Sequence, residues 1–212
     1  MICVSLAEPD FGRCLGMVQR YPFTEIRLDA AAFNLDEVRQ LFSTGNKTIA
    51  TYRPGNEDDR IRQKALAEAV RAGATYLDIE YEAEDSYRKE LIREAAGRGC
   101  SLIISWHDYE KTPDQEELEL IMDRCYAMGA DIAKIACMVN ERQDMVRLLS
   151  LYNLPGKKVV LGMGEKGSFS RIAAALLGAE FTFAPPDDGH ETAPGQLSLS
   201  ELQQYLNRFL IP

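Results

Sequence analysis

Two residues within positions 101–138 have the types and the setting to do chemistry. His107 ends the apolar run LIISWH, and Lys134 lies inside DIAKIA between Ala133 and Ile135. Lysine is rarely buried unless it is paired, neutral or reactive. Burial penalises an ammonium against the free amine, and the free amine attacks carbonyl carbons. An internal carboxylate such as Glu25, Asp78 or Glu80 would instead give Lys134 a purely structural ion pair. Histidine moves protons near neutral pH, and the end of a strand is where barrel enzymes place such groups. A histidine that merely caps the following helix is the plainer alternative. His190, the second of the two histidines, falls in an irregular stretch and is expected to be solvent-exposed. With no other His or Cys near His107 at ligand spacing, no metal is expected.

Anion recognition has its own candidates. Arg27, Arg53 and Arg171 each fall on or after a predicted strand or in a loop, and guanidinium forks match carboxylates and phosphates. Internal salt bridges to Glu25, Asp29 or Glu57 would occupy at least one of them. Gly162, Gly164 and Gly167 in LGMGEKGSFSR could cradle a phosphate at a helix start. Their spacing fits neither a P-loop nor a dinucleotide fingerprint. An amine, a proton carrier and an anion site together fit Schiff-base chemistry on an anionic ketone or aldehyde.

These residues need a scaffold. Strand-like runs recur at 2–6, 25–29, 47–52, 75–80, 102–107, 131–137, 159–163 and 181–185, roughly one per βα unit of 20–30 residues. Helical periodicity is clearest at 58–72, 84–97, 114–128, 140–152 and 199–210, and weaker at 10–21, 35–42 and 168–177. Pro113 and Asp114 predict a helix start, and Gly73, Gly99 and Gly129 predict helix ends. Eight alternating pairs predict an α/β fold, a (β/α)₈ TIM barrel, as one domain over residues 1–212. An open doubly wound sheet shares the alternation. However, Glu25, Arg27 and Asp29 are expected on one strand face and Asp78 with Glu80 on another, whereas strands of an open parallel sheet read as continuous apolar runs. Charged inner faces favour a barrel with a polar cavity. The Pro- and Gly-rich segment 184–196 reads as a long last βα loop.

Composition narrows the class. A formal net charge of -9 argues against non-specific nucleic-acid binding, and no apolar run is long enough for a membrane span. The start MICVSLAEPD lacks a basic region ahead of an apolar core, so no signal peptide is expected and a cytoplasmic location is. Five widely spaced cysteines without a C-x-x-C pair predict reduced, buried thiols.

Six motifs in order, EIRLD, TYRPGNE, ISWHDYEKTP, DIAKIA, GMGEKGSFSR and TAPGQ, resemble type I 3-dehydroquinate dehydratase across nearly the whole chain. The resemblance implies a (β/α)₈ barrel that dehydrates 3-dehydroquinate to 3-dehydroshikimate in the shikimate pathway to aromatic compounds. It implies that Lys134 forms the imine, His107 shuttles protons and Glu57 orients His107. It places Glu25, Arg27, Arg53, Arg171, Thr192 and Gln196 in the substrate pocket, with Met163 and Phe183 as apolar walls. It further implies no cofactor, a small anionic substrate and a homodimer. Thr192 stands where the family more often has serine, Asp58 and Asp59 stand where glycines are common, and an N-terminal hairpin found in some members would have no counterpart. A class I aldolase, which shares barrel and imine, is the nearest alternative. A barrel without catalysis is the third, although Lys134, His107 and Glu57 are all present.

Overall fold

The computed structural model describes residues 1–209 except Asn56 and His190, so the expectation for His190 and the predicted helix end at Leu210 lie outside the described residues. The chain forms two compact units, residues 4–103 and residues 104–212 with 1–3. The first carries β1 (Ile2–Leu6, shared with the second unit), α1 (Phe11–Arg20), β2 (Phe23–Arg27), α2 (Leu35–Phe42), β3 (Lys47–Thr51), α3 (Asp59–Ala72), β4 (Tyr76–Glu80) and α4 (Asp85–Ala96). The second carries most of β5 (Ser101–Asp108), then α5 (Gln115–Ala127), β6 (Ile132–Met138), α6 (Arg142–Ser150), β7 (Lys157–Met163), α7 (Ser170–Leu176), β8 (Thr182–Ala184) and α8 (Leu199–Phe209).

The strands form one eight-stranded sheet in the order β7-β6-β5-β4-β3-β2-β1-β8. Registered neighbours are parallel: Ser5 faces Glu25, Arg27 faces Thr51, Thr51 faces Asp78 and Lys134 faces Val159. Just before β8 the Glu180 N–H donates to the Lys158 carbonyl of β7, at 3.1 Å. Strand order with β8 beside β1 is that of a nearly closed (β/α)₈ barrel, as the alternation predicts.

Helix ends follow their sequences. The Asn34 side-chain oxygen accepts from the Asp36 and Glu37 amides, and the Asn34 N–H donates to the Glu37 carboxylate, a capping box. Asp58 and Asp114 cap α3 and α5, each cap being worth about 1 kcal/mol. Gly73 ends α3 at φ 114°, a left-handed position that favours glycine. The five cysteines are buried thiols. No helix among the described residues is long and apolar enough to cross a membrane.

Some boundaries differ from expectation for local reasons. β2 stops at Arg27, and residues Leu28–Ala30 turn as a 3₁₀ helix. Asp29 therefore leaves the face that strict alternation gives it. β7 starts at Lys157, two residues earlier than expected, where its backbone registers with Ile132 of β6. β8 is short; Pro185 and Pro186 follow it, and proline has no N–H to continue a ladder.

Candidate active site

In the unit of residues 104–212 the two candidate reacting groups sit on adjacent strands. His107 is the seventh of eight residues in β5, half-buried, with its ring stacked against Tyr109 at 6.0 Å and 12°. The strand ends in a turn that Asp108 fastens by accepting from the Glu110 and Lys111 amides. Lys134 is the third of seven in β6 and only 6% exposed, so it lies deeper along its strand than His107 does along β5. Its Nζ stands 4.4 Å from the centroid of the Phe183 ring. Phe183 is itself held edge-on by Phe181 at 5.4 Å. An ammonium over an aromatic face is attracted by the ring quadrupole, and the same face suits an iminium. Met163, the last residue of β7, is buried, and its carbonyl accepts from Val139.

Arg171 is 2% exposed and lies in the first turn of α7 rather than in a loop. Its Nε donates to the Gly195 carbonyl at 3.3 Å, and among the described residues it makes no ion pair. Burial pulls the guanidinium down to about 10, partly countered by the charge of Glu191. A buried cation in that state is short of a counter-charge, which an anionic ligand would supply.

The segment around Thr192 is tied to itself and to the β7 end. The Gln196 side-chain carbonyl accepts from the Thr192 and Ala193 amides at 2.8 and 3.3 Å. Gly164 donates to the Pro194 carbonyl, and a Cβ on Gly195 would meet the Gly164 oxygen at 2.2 Å. Likewise a Cβ on Gly167 would strike Gly162 backbone at 2.5 Å. The glycines expected to cradle a phosphate thus serve close backbone packing. Ser170 completes that packing, receiving the Gly162 amide and donating to the Gly167 carbonyl.

In the unit of residues 4–103 charge is met by charge. Glu25, 4% exposed, accepts from Ser5 Oγ and from Thr51 Oγ1, the latter at 2.9 Å. Arg27 forks onto Asp29 at 2.9 and 2.7 Å. Burial alone would raise the Asp29 carboxyl, but Arg27 and the Arg53 amide hold it below the ordinary value. Arg53 grips Asp78 with two bonds of 3.0 Å and Glu80 with one of 2.9 Å. These carboxylates more than offset the burial that disfavours its charge, so its pKa is raised.

Arg27 thus takes one of the expected carboxylates, and the Arg53 side chain pairs with Asp78 and Glu80 on β4. Glu57 is exposed beyond β3 and lines a cavity of about 680 Å³ with Leu28, Asp29, Tyr52 and Lys64. Sequence reasoning missed Ser5 and Thr51 as the hydroxyls that fix Glu25. The one polar residue in the run ICVSL was the available signal for Ser5.

The sequence model of the family described as type I 3-dehydroquinase matches residues 2–210. A 3-dehydroquinate dehydratase of Methanocaldococcus jannaschii is 31% identical, with 96% of each chain covered. One of Desulfotalea psychrophila is 34% identical over 98% of this chain and 97% of the relative. The crystal structure of the 3-dehydroquinate dehydratase of Aquifex aeolicus superposes with a TM-score of 0.84, at 27% identity and full coverage of both chains. From motif order, strand order and these full-length matches, the chain belongs to the type I 3-dehydroquinase family.

Proposed function

We propose that this protein dehydrates 3-dehydroquinate to 3-dehydroshikimate through an imine on Lys134, a hydro-lyase step of the shikimate pathway. The observation that carries the reading is the Lys134 amine, buried within a strand and set over the Phe183 ring. Lys134 Nζ adds to the substrate ketone, and loss of water gives the iminium. That cation draws electrons from the neighbouring carbon, whose proton passes to His107 and leaves an enamine. Protonated His107 then gives its proton to the β-hydroxyl as the C–O bond breaks, so water leaves and a conjugated iminium remains. Hydrolysis returns the free lysine and the enone product. Positioned acid–base groups of this kind contribute about 10²–10⁴ in rate.

The remaining roles follow the family resemblance. Glu57 orients His107, and Arg171 binds the substrate carboxylate that balances its buried charge. Glu25, Arg27, Arg53, Thr192 and Gln196 contact substrate, with Met163 and Phe183 as apolar walls. The catalytic unit is the whole chain folded as one domain, acting in the cytoplasm as a homodimer.

Incubation with 3-dehydroquinate, followed by absorbance of the conjugated enone, tests the reading. The signal should grow in proportion to enzyme and be lost in Lys134→Ala. Folded protein that gives no absorbance change overturns it. A class I aldolase, which breaks a carbon–carbon bond, would not produce this enone.

A further inference from the structure

Behind Arg53, away from any residue given a role above, stands Arg62 on α3. It is 6% exposed. Its Nη2 donates to Glu80 Oε2 at 3.0 Å and to the Tyr52 carbonyl at 3.3 Å. Its Nη1 reaches Asp59 at 2.7 Å, and its guanidinium lies 5.3 Å from the centroid of the Tyr87 ring.

Two of these contacts bear on Arg53. The Tyr52 carbonyl belongs to the peptide that joins Tyr52 to Arg53, and the N–H of that same peptide donates to Asp29 at 3.1 Å. Arg62 and Asp29 thus clamp the main chain of Arg53 from opposite sides. Glu80 meanwhile divides its two oxygens, one taking Arg53 Nη1 at 2.9 Å and the other taking Arg62. Arg62 therefore touches the support of Arg53 both at its backbone and at its guanidinium.

Asp78 and Glu80 are buried carboxylates; Arg53 pairs with both, and Arg62 brings a second cation to Glu80. Without Arg62, Glu80 would draw Arg53 further onto β4, and Arg53 would present less positive potential to an anionic ligand. Stability alone is an incomplete explanation for Arg62, because its Nε and the Tyr87 hydroxyl are both buried without a hydrogen-bond partner among the described residues, which itself costs stability.

We propose that Arg62 is a positioning residue that sets the substrate-binding geometry and charge of Arg53 through Glu80 and the Tyr52 carbonyl. This rests on Arg53 contacting substrate.

Steady-state kinetics on full-length variants test it. Arg62→Met should raise KM for 3-dehydroquinate about tenfold while kcat stays within about twofold, the signature of lost uniform binding. Arg62→Lys, which restores one cation beside Glu80, should recover most of that loss. Arg53→Lys, which keeps the charge but loses the fork, should also raise KM. In the double variant Arg62→Met should add little, because both substitutions act through one contact. An unchanged KM in folded Arg62→Met, a fall in kcat alone, or fully additive effects would overturn the proposal. If Arg62→Met does not fold, Glu80→Gln must raise KM severalfold, and an unchanged KM there overturns it equally. Should Arg53→Lys leave KM unchanged, the premise about Arg53 has failed and the inference with it. A KM effect of Arg53→Lys without one of Arg62→Met removes only the inference.

Discussion

Arg53 and Arg171 are both arginines with little exposure, and their surroundings differ in kind. Arg53, in residues 4–103, holds two carboxylates, one of which is shared with a second arginine. Arg171, in residues 104–212, donates to a carbonyl and pairs with no carboxylate among the described residues. The same contrast runs through both units. Glu25, Arg27 and Asp29 are fixed by hydroxyls and by each other, whereas Lys134 lies over an aromatic ring and His107 stacks on one. Ion pairs completed inside the protein define shape before any ligand arrives. A guanidinium held by a backbone carbonyl, as Arg171 is, instead keeps its charge for an anionic ligand.

The contrast can be broken most sharply at His107. His107→Ala should lower kcat by about 10³-fold yet leave imine formation detectable. Full activity would remove the proton-shuttle role. Next comes stability measured by urea unfolding without ligand. Arg53→Met leaves Asp78 and Glu80 short of a cation and should cost about 3 kcal/mol. Arg171→Met removes a desolvated cation with no ion pair, so its unfolding midpoint should match or exceed that of the parent. Equal destabilisation by the two would erase the distinction. In kinetics, Arg171→Met should nonetheless raise KM by about 10–100-fold, the scale of a lost charge-assisted hydrogen bond or two.

The smallest effect concerns Asp29. Its folded-state pKa lies below its ordinary value, so its contribution is complete above the unfolded carboxylate pKa near ~3.9 and fades as pH falls through the folded one. Asp29→Asn should therefore be less stable than the parent at pH 6, by about 1–3 kcal/mol. The gap should narrow under acid; a gap that stays constant with pH would mean that Asp29 acts by shape alone.

Strand alternation made Lys134 and His107 legible, because a lysine amid alanines and isoleucines and a histidine at a strand end stand out at period two. The eight alternating units likewise announced the barrel. Asp29 was misplaced since nothing in EIRLD marks where the strand yields to a 3₁₀ turn. That Asp78 and Glu80 meet Arg53 was not legible, because only three-dimensional placement brings Arg53, just beyond β3, to the side chains of β4. Nothing in the run DDRIRQK sets Arg62 apart from its charged neighbours. The glycines of LGMGEKG resembled an anion cradle because close backbone packing and phosphate binding demand the same absence of a side chain.

The central claim is that Lys134 becomes covalently bound to substrate. Borohydride reduction during turnover of 3-dehydroquinate, with peptide mapping by mass spectrometry, measures it directly. The account predicts a substrate-dependent adduct on Lys134. An adduct on another residue, or none while product still forms, would contradict it.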